Sequence, residues 1–176
     1  STIKGEGKTF ISLNFSLAMA SLNKKVLLIG ADLRNPQLHT YANINKNQVG
    51  LSNYLIDSSP GWKSSVMKVF DKQPNHEILF SGAIPPNPAH LLANGNFETL
   101  IREAKLLYDY IIVDLAPTIL VTDTLLVAHL ADATICVVRA NHTEKKLVPF
   151  SQDLSKSKRL VNMTYVINGI KENRSY

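Results

Sequence analysis

The sequence predicts an α/β domain of three-layer α/β/α type: a mostly parallel β-sheet covered by helices on both faces. Short apolar, β-rich runs at 26–29, 110–113, 134–138 and 165–167 lack polar alternation, the pattern of strands in a parallel sheet that is covered on both sides. Segments with helical spacing fall between those runs, and such an alternation packs as layers. The 176 residues, 45% of them hydrophobic, suffice for a single domain over 1–176 with a sizeable core.

The elements follow in order. A first helix is expected over 9–22, where Phe10, Leu13, Leu17 and Ala20 recur at helical spacing. The strand at 26–29 comes next. Residues 41–65 and 81–95 are rich in Asn, Pro, Ser and Gly and read as loops with short helices; a weaker strand, 77–80, lies between them. Residues 96–107 put Phe97, Leu100, Ile101, Ala104 and Leu107 on one helical face. Tyr108 and Tyr110 flank the strand at 110–113 as packing residues. A helix is expected over 122–130. The strand at 134–138 carries Cys136, read as a small buried hydrophobe. The last helix spans roughly 143–160 and ends on Lys156, Lys158 and Arg159, read as a solvated helix face. Tyr165 is expected to be buried in the final strand, 165–167.

Composition excludes several classes. No apolar run reaches the roughly 18–20 residues that span a bilayer, and the polar start resembles no secretory leader. One cysteine forms no internal disulfide, which is compatible with a reducing compartment. The net charge of +5 is modest and its bases are scattered, so no nucleic-acid partner is expected.

The chemistry starts at Gly5-Glu6-Gly7-Lys8-Thr9. Glycines let a backbone turn tightly and bring its N–H groups close to phosphate oxygens. Lys8 adds a charge for the β- and γ-phosphates, Thr9 offers a hydroxyl to Mg²⁺, and the helix that follows points its N-terminus at the anion. The pattern is that of a P-loop NTPase, with Thr2 where the first glycine usually stands. A strand normally precedes such a loop and none is present, so the chain reads as a fragment of a longer protein, and a loop without its strand is expected to be less ordered and to bind more weakly. Two carboxylates follow strand runs: Asp32 in Gly30-Ala31-Asp32-Leu33-Arg34, and Asp114 after 110–113. Ligands of open α/β sheets bind at that edge. Asp114 suits Mg²⁺, directly or through water. The alternative role for each Asp is a cap or turn.

Taken together, the loop, the segment 27–36, Gly82-Ala83-Ile84-Pro85-Pro86-Asn87-Pro88-Ala89-His90-Leu91-Leu92, and the segment 108–117 resemble the cytoplasmic kinase domain of bacterial tyrosine kinases, the capsular and exopolysaccharide chain-length regulators. The Gly-x-x-Pro-Pro-Asn-Pro segment discriminates best. The resemblance covers nearly the whole chain and implies ATP-dependent phosphorylation of tyrosines on the chain's own tail or on a neighbouring copy. It implies Lys8, Asp32 and Asp114 as catalytic residues, and Thr9, Asp32 and Asp114 around Mg²⁺. ATP contacts are implied for Gly5, Glu6, Gly7, Lys8, Thr9 and Phe10. Arg34 is either a phosphate contact or a structural salt bridge. Val166-Ile167-Asn168-Gly169 resembles the segment where related ATPases touch adenine, making Asn168 a candidate base contact. Also implied are a homo-oligomer, a location on the cytoplasmic side of the inner membrane, and a polysaccharide co-polymerase transmembrane region in the same polypeptide.

The sequence departs from that family in two further places. The second motif is usually Asp-x-Asp; here Gly30 stands in place of the first Asp, the carboxylate that is a candidate base for the tyrosine hydroxyl. The tail holds one tyrosine, Tyr176, where the family's is tyrosine-rich. Two other readings stay open. A partition or septum-site type ATPase switch would carry a lysine five positions before Lys8, where this chain has Ile3. A nucleotide-binding module degenerate at Gly30 would transfer no phosphate.

Overall fold

A computed structural model describes residues 1–118 and 123–170. The chain divides into two compact units, Thr9–Ala116 and Ser1–Lys8 with Pro117–Tyr176.

The unit Thr9–Ala116 holds most of helix α1 (Lys8–Ser21) and, in order, β1 (Val26–Gly30), α2 (Leu38–Ala42), α3 (Leu51–Ile56), β2 (Val66–Met67), β3 (His76–Leu79), α4 (Pro88–Ala93), α5 (Asn96–Ala104) and β4 (Tyr110–Asp114). Its sheet runs β2-β3-β1-β4. β1 pairs in parallel with β3 (Val26↔His76 to Ile29↔Leu79) and with β4 (Val26↔Tyr110 to Gly30↔Asp114), while β2 is antiparallel to β3. With a neighbour on each side, β1 has no exposed edge, and Val26, Leu27, Leu28 and Ile29 are completely buried. The unbroken apolar run is the sequence of such a strand. Leu28 packs with Leu13, Leu38, Ile78 and Phe80 in the core of this unit.

The second unit contains α6 (Asp123–Val127), β5 (Thr134–Arg139), α7 (Val148–Lys156) and β6 (Met163–Asn168). β5 and β6 pair in parallel from Thr134↔Met163 to Arg139↔Asn168. Ala128, Leu154 and Leu160 form a core against which Leu125 and Met163 pack. Cys136 is buried, as expected of a small hydrophobe. No helix among the described residues is long and apolar enough to cross a membrane.

The strand and helix expectations hold to within a few residues, with local corrections. Phe10 sits in the first turn of α1 at the margin of the apolar stripe and is 46% exposed, while Leu13 and Ala20 are buried. Leu107 is also exposed: α5 ends at Ala104, and the chain closes its last turn through the Leu107 N–H to the Ala104 carbonyl, carrying Leu107 off the buried face. The expected helix over 143–160 is a short 3₁₀ turn, Lys145–Leu147, followed by α7, so Lys158 and Arg159 lie in an exposed turn beyond the helix, Lys158 at φ 58. Tyr110 is 41% exposed instead of packed. Tyr165 is half-buried and its hydroxyl shares a 2.7 Å hydrogen bond with Ser151. Residue 122, the expected start of the helix ending at 130, lies outside the described residues.

One buried polar contact makes this unit sensitive to acid. His76, the first residue of β3, is fully buried, with Nε2 2.7 Å from the Ser16 hydroxyl. That hydroxyl donates its hydrogen to the Leu13 carbonyl, so Nε2 carries the imidazole proton and donates to Ser16. Nδ1 is buried with no partner. A second proton there would be a buried charge without an acceptor, and burial lowers the His76 pKa to about 4. Because the unfolded imidazole titrates at the ordinary value of 6.5, the unfolded chain binds more protons between those values. Stability is therefore full above pH 6.5 and declines as pH falls towards 4. Urea midpoints measured across that interval are expected to fall in the wild type, and the fall is expected to flatten in His76→Leu; equal slopes in both would refute this assignment.

Candidate nucleotide site

The loop is built by hydrogen bonds from its own unit. Glu6 is completely buried. Its Oε2 accepts the backbone N–H groups of Thr2 (2.8 Å) and Ile3 (3.0 Å). Its Oε1 accepts the hydroxyls of Thr2 (3.2 Å) and Thr143 (2.6 Å). Burial pushes this carboxyl up, yet the hydrogen bonds, led by those from Thr143 and Ile3, outweigh it and leave the pKa below the ordinary value. Thr143 is itself placed by accepting the Arg139 N–H at 2.8 Å. Glu6 thus anchors the loop.

Three successive loop carbonyls are each held by a different side chain. The Lys4 carbonyl lies 3.0 Å from His142 Nε2, the Gly5 carbonyl accepts Arg139 Nη1 at 3.0 Å, and the Glu6 carbonyl accepts Asn168 Nδ2 at 3.0 Å. In a planar trans peptide the N–H points opposite to the C=O. With the carbonyls of Lys4, Gly5 and Glu6 each tied to a side chain, the N–H groups of Gly5, Glu6 and Gly7 each point away from that tie. Gly7 has φ 93, and a Cβ there would collide with the Asn168 amide; glycine serves both needs. Asn168, expected at adenine, is engaged at both ends of its amide, since Oδ1 also accepts the Gly169 N–H at 2.8 Å. Arg139, His142 and Thr143 are loop-positioning residues that sequence reasoning missed. The available signal was Arg139 at the C-terminal end of a strand, the location that flagged Asp32 and Asp114.

In the unit Thr9–Ala116, the Thr9 hydroxyl donates to Asp114 Oδ2 at 2.7 Å. Thr9 is in the first turn of α1 and Asp114 ends β4, whose register with β1 fixes it opposite Gly30. Asp114 and Asp32 are both buried. Asp32 Oδ1 accepts the N–H groups of Arg34 (3.3 Å) and Asn35 (2.9 Å), so Asp32 also forms the turn after β1. The donor set of Thr9, Asp32 and Asp114 is all oxygen, as Mg²⁺ demands. No group of three or more His, Cys, Asp or Glu side chains that could hold a metal ion occurs among the described residues. Phe10 is exposed in the turn after Thr9, and Arg34 lines a cleft of about 440 Å³ with Pro86, Asn87, Pro88, Ala89 and His90.

Gly30 has a physical counterpart. The buried Ser81 hydroxyl donates to the Gly30 carbonyl at 2.8 Å, and a Cβ at Gly30 would stand 2.9 Å from that oxygen. Ser81 occupies the space that a side chain at position 30 would enter.

Parallel strands, a glycine loop whose carbonyls are held by side chains, and carboxylates at strand ends match the fold of a P-loop ATPase domain. The family model described as an AAA domain matches residues 3–159. The tyrosine-protein kinase YwqD of Bacillus subtilis is 38% identical over 146 residues, 83% of this chain and 60% of that protein. The tyrosine-protein kinase CpsD of Streptococcus agalactiae is 30% identical over 169 residues, 96% of this chain and 72% of that protein. Among solved structures, the kinase domain of the Escherichia coli tyrosine kinase ETK matches at 28% identity with a TM-score of 0.87, covering 98% of this chain and 66% of that one. The septum-site-determining protein MinD of Pyrococcus horikoshii, complexed with Mg-ADP, shares the fold at 20% identity and a TM-score of 0.76, covering 99% of this chain and 69% of that one. The chain belongs to the bacterial tyrosine kinases of the P-loop ATPase superfamily, and it spans 60% of the length of its Bacillus relative.

The Gly30–Ser81 pairing yields a test. Gly30→Asp is expected to destabilise the chain by about 1–3 kcal/mol, the range for overpacking a filled site. Ser81→Ala added to it is expected to recover about half of that loss. Urea denaturation of the two variants checks both, and an unchanged midpoint in Gly30→Asp alone would show the space to be open.

Proposed function

We propose that this chain is the catalytic domain of an ATP-dependent tyrosine kinase, transferring the γ-phosphoryl group of Mg-ATP to tyrosines on its own tail or on a neighbouring copy, in a protein that regulates capsular or exopolysaccharide polymerisation and export. The reading is supported above all by the three loop carbonyls held by His142, Arg139 and Asn168, since peptide N–H groups pointing away from such ties suit an anion cradle. Lys8 supplies charge to the β- and γ-phosphates. Gly5, Glu6 and Gly7 supply backbone N–H groups, and Phe10 and Asn168 are the candidates beside the base. Thr9, Asp32 and Asp114 hold Mg²⁺, which when bound neutralises charge on the phosphates. Phosphoryl transfer through a loose transition state asks the protein chiefly for positioning and charge stabilisation, so Gly30, which brings no carboxylate to the tyrosine hydroxyl, is compatible with the reaction.

The fold-level likeness to a Mg-ADP complex supports nucleotide and Mg²⁺ as cofactors. The kinase acts as a homo-oligomer on the cytoplasmic side of the inner membrane, with a polysaccharide co-polymerase transmembrane region in the same polypeptide. The acceptor Tyr176 lies outside the described residues. Gly30 favours a second reading, an ATPase or nucleotide-binding module without phosphotransfer.

Incubation of the full-length protein with Mg-ATP is expected to add phosphate to tyrosine, seen by intact mass and localised by fragmentation, and Lys8→Met is expected to abolish it. ATP turnover without phosphotyrosine would establish the ATPase reading, and no ATP binding at all would overturn both.

A further inference from the structure

Two Asn-Gly pairs occur in the sequence, Asn94-Gly95 and Asn168-Gly169. Asparagine is a chemically labile residue, and most so before glycine, which has no Cβ to shield its peptide nitrogen from the preceding carboxamide. In a folded chain the reaction depends on where that carboxamide is held, and the two pairs hold it differently. Asn94 lies in the turn between α4 and α5 with φ −79 and ψ 4. Its Oδ1 accepts the N–H of Asn96 at 3.0 Å, one residue beyond Gly95, and its Nδ2 donates to the Leu55 carbonyl at 2.7 Å. That carboxamide is directed past the Gly95 nitrogen.

Asn168 ends β6, and its backbone carbonyl is fixed by the Ala140 N–H at 2.9 Å. Gly169, one residue past the strand, gives its N–H to Asn168 Oδ1 at 2.8 Å. The carboxamide therefore lies against the nitrogen that would attack it. Gly169 is exposed, so water and base reach that nitrogen. Its φ of 71 favours glycine at this position, so the labile pair is required by the turn itself. A Cβ on Gly169 would lie 3.2 Å from Arg139 Cγ and 3.4 Å from Arg139 Nε. The guanidinium thus runs alongside Gly169, and a neighbouring cation favours negative charge on the reacting atoms.

We propose that Asn168-Gly169 is a site of spontaneous deamidation and that the modification releases the phosphate loop. Base removes the Gly169 N–H proton, and the nitrogen attacks Asn168 Cγ. The Cγ–Nδ2 bond then breaks, and Nδ2 leaves as ammonia after taking a proton from water. Water opens the resulting succinimide at either carbonyl, giving aspartate or isoaspartate. The sum is carboxamide plus water to carboxylic acid plus ammonia, with no change of oxidation state. Nδ2 is the donor that holds the Glu6 carbonyl at 3.0 Å. Its loss sets a carboxylate oxygen against that carbonyl, and one of the three ties on the loop becomes a repulsion. The effect on binding rests on the nucleotide reading; the chemistry at Asn168 does not.

The full-length protein is aged in mildly alkaline buffer, native and in concentrated urea, and peptide mass mapping follows amide-to-acid conversion at both Asn-Gly pairs. The rate at Asn168 relative to Asn94 is expected to be several-fold higher in the native protein than in urea. A native ratio equal to or below the ratio in urea would overturn the proposal. Binding is then measured by titrating Mg-ADP. Asn168→Asp is expected to bind at least about tenfold more weakly than the wild type, the scale of one lost hydrogen bond. Asn94→Asp adds the same charge and is expected to bind as the wild type does. Native protein deamidated by ageing and separated by ion exchange repeats the measurement without a substitution. Undiminished affinity in the aged protein would overturn the release of the loop. Absence of Mg-ADP binding to the fresh wild type would instead refute the nucleotide reading, with the rate ratio still deciding the modification.

Discussion

A carboxylate removed from water must find hydrogen-bond donors, and three such groups set the geometry of this chain. Glu6 draws two backbone N–H groups and two hydroxyls onto one fully buried carboxylate. Asp32 draws the N–H groups of the turn after β1. Asp114 draws the Thr9 hydroxyl to the end of β4. An unpaired buried charge would cost several kcal/mol, so each carboxylate dictates the conformation of the backbone that serves it. The loop, the turn and the first helical turn of α1 take their shapes from these demands.

The division of labour among the three differs. Glu6 lies within the loop and acts as its anchor. Asp114 touches a hydroxyl that also suits a metal ion. Asp32 combines the turn role with a location at a strand end, so the two readings that its sequence position allowed are compatible. Ser81 beside Gly30 illustrates the same economy, since a hydroxyl two residues beyond the neighbouring strand β3 fills the space that a side chain at position 30 would enter and donates to the Gly30 carbonyl.

Much of the fold was legible because its signals are local. Completely buried strands such as β1 must be apolar throughout, and α5 buries Phe97, Leu100, Ile101 and Ala104 as its spacing indicates. The loop and both aspartates stood out as candidates because glycine, lysine and carboxylate at strand ends have few other uses in combination. The clamp on the loop was not legible as a clamp: Arg139, His142, Thr143 and Asn168 are more than 130 residues from the carbonyls and carboxylate they hold, and the one local signal among the three residues missed was the place of Arg139 at a strand's C-terminal end. Asn168 was noticed by resemblance, but its tie to the Glu6 carbonyl was invisible in the sequence. Likewise, α5 and α7 stop earlier than their apolar spacing suggests, because helix ends are set by how the chain turns away.

In the proposed kinase, Thr9 and Asp114 hold the Mg²⁺ that accompanies a bound nucleotide. Calorimetric titration of ADP into the wild type and Asp114→Asn, each with and without Mg²⁺, tests it most directly. The account predicts that Mg²⁺ tightens ADP binding to the wild type by about tenfold or more, the scale of one charge-assisted interaction, and that most of this gain disappears in Asp114→Asn. An ADP affinity indifferent to Mg²⁺ in the wild type, or an undiminished Mg²⁺ effect in the variant, would contradict it.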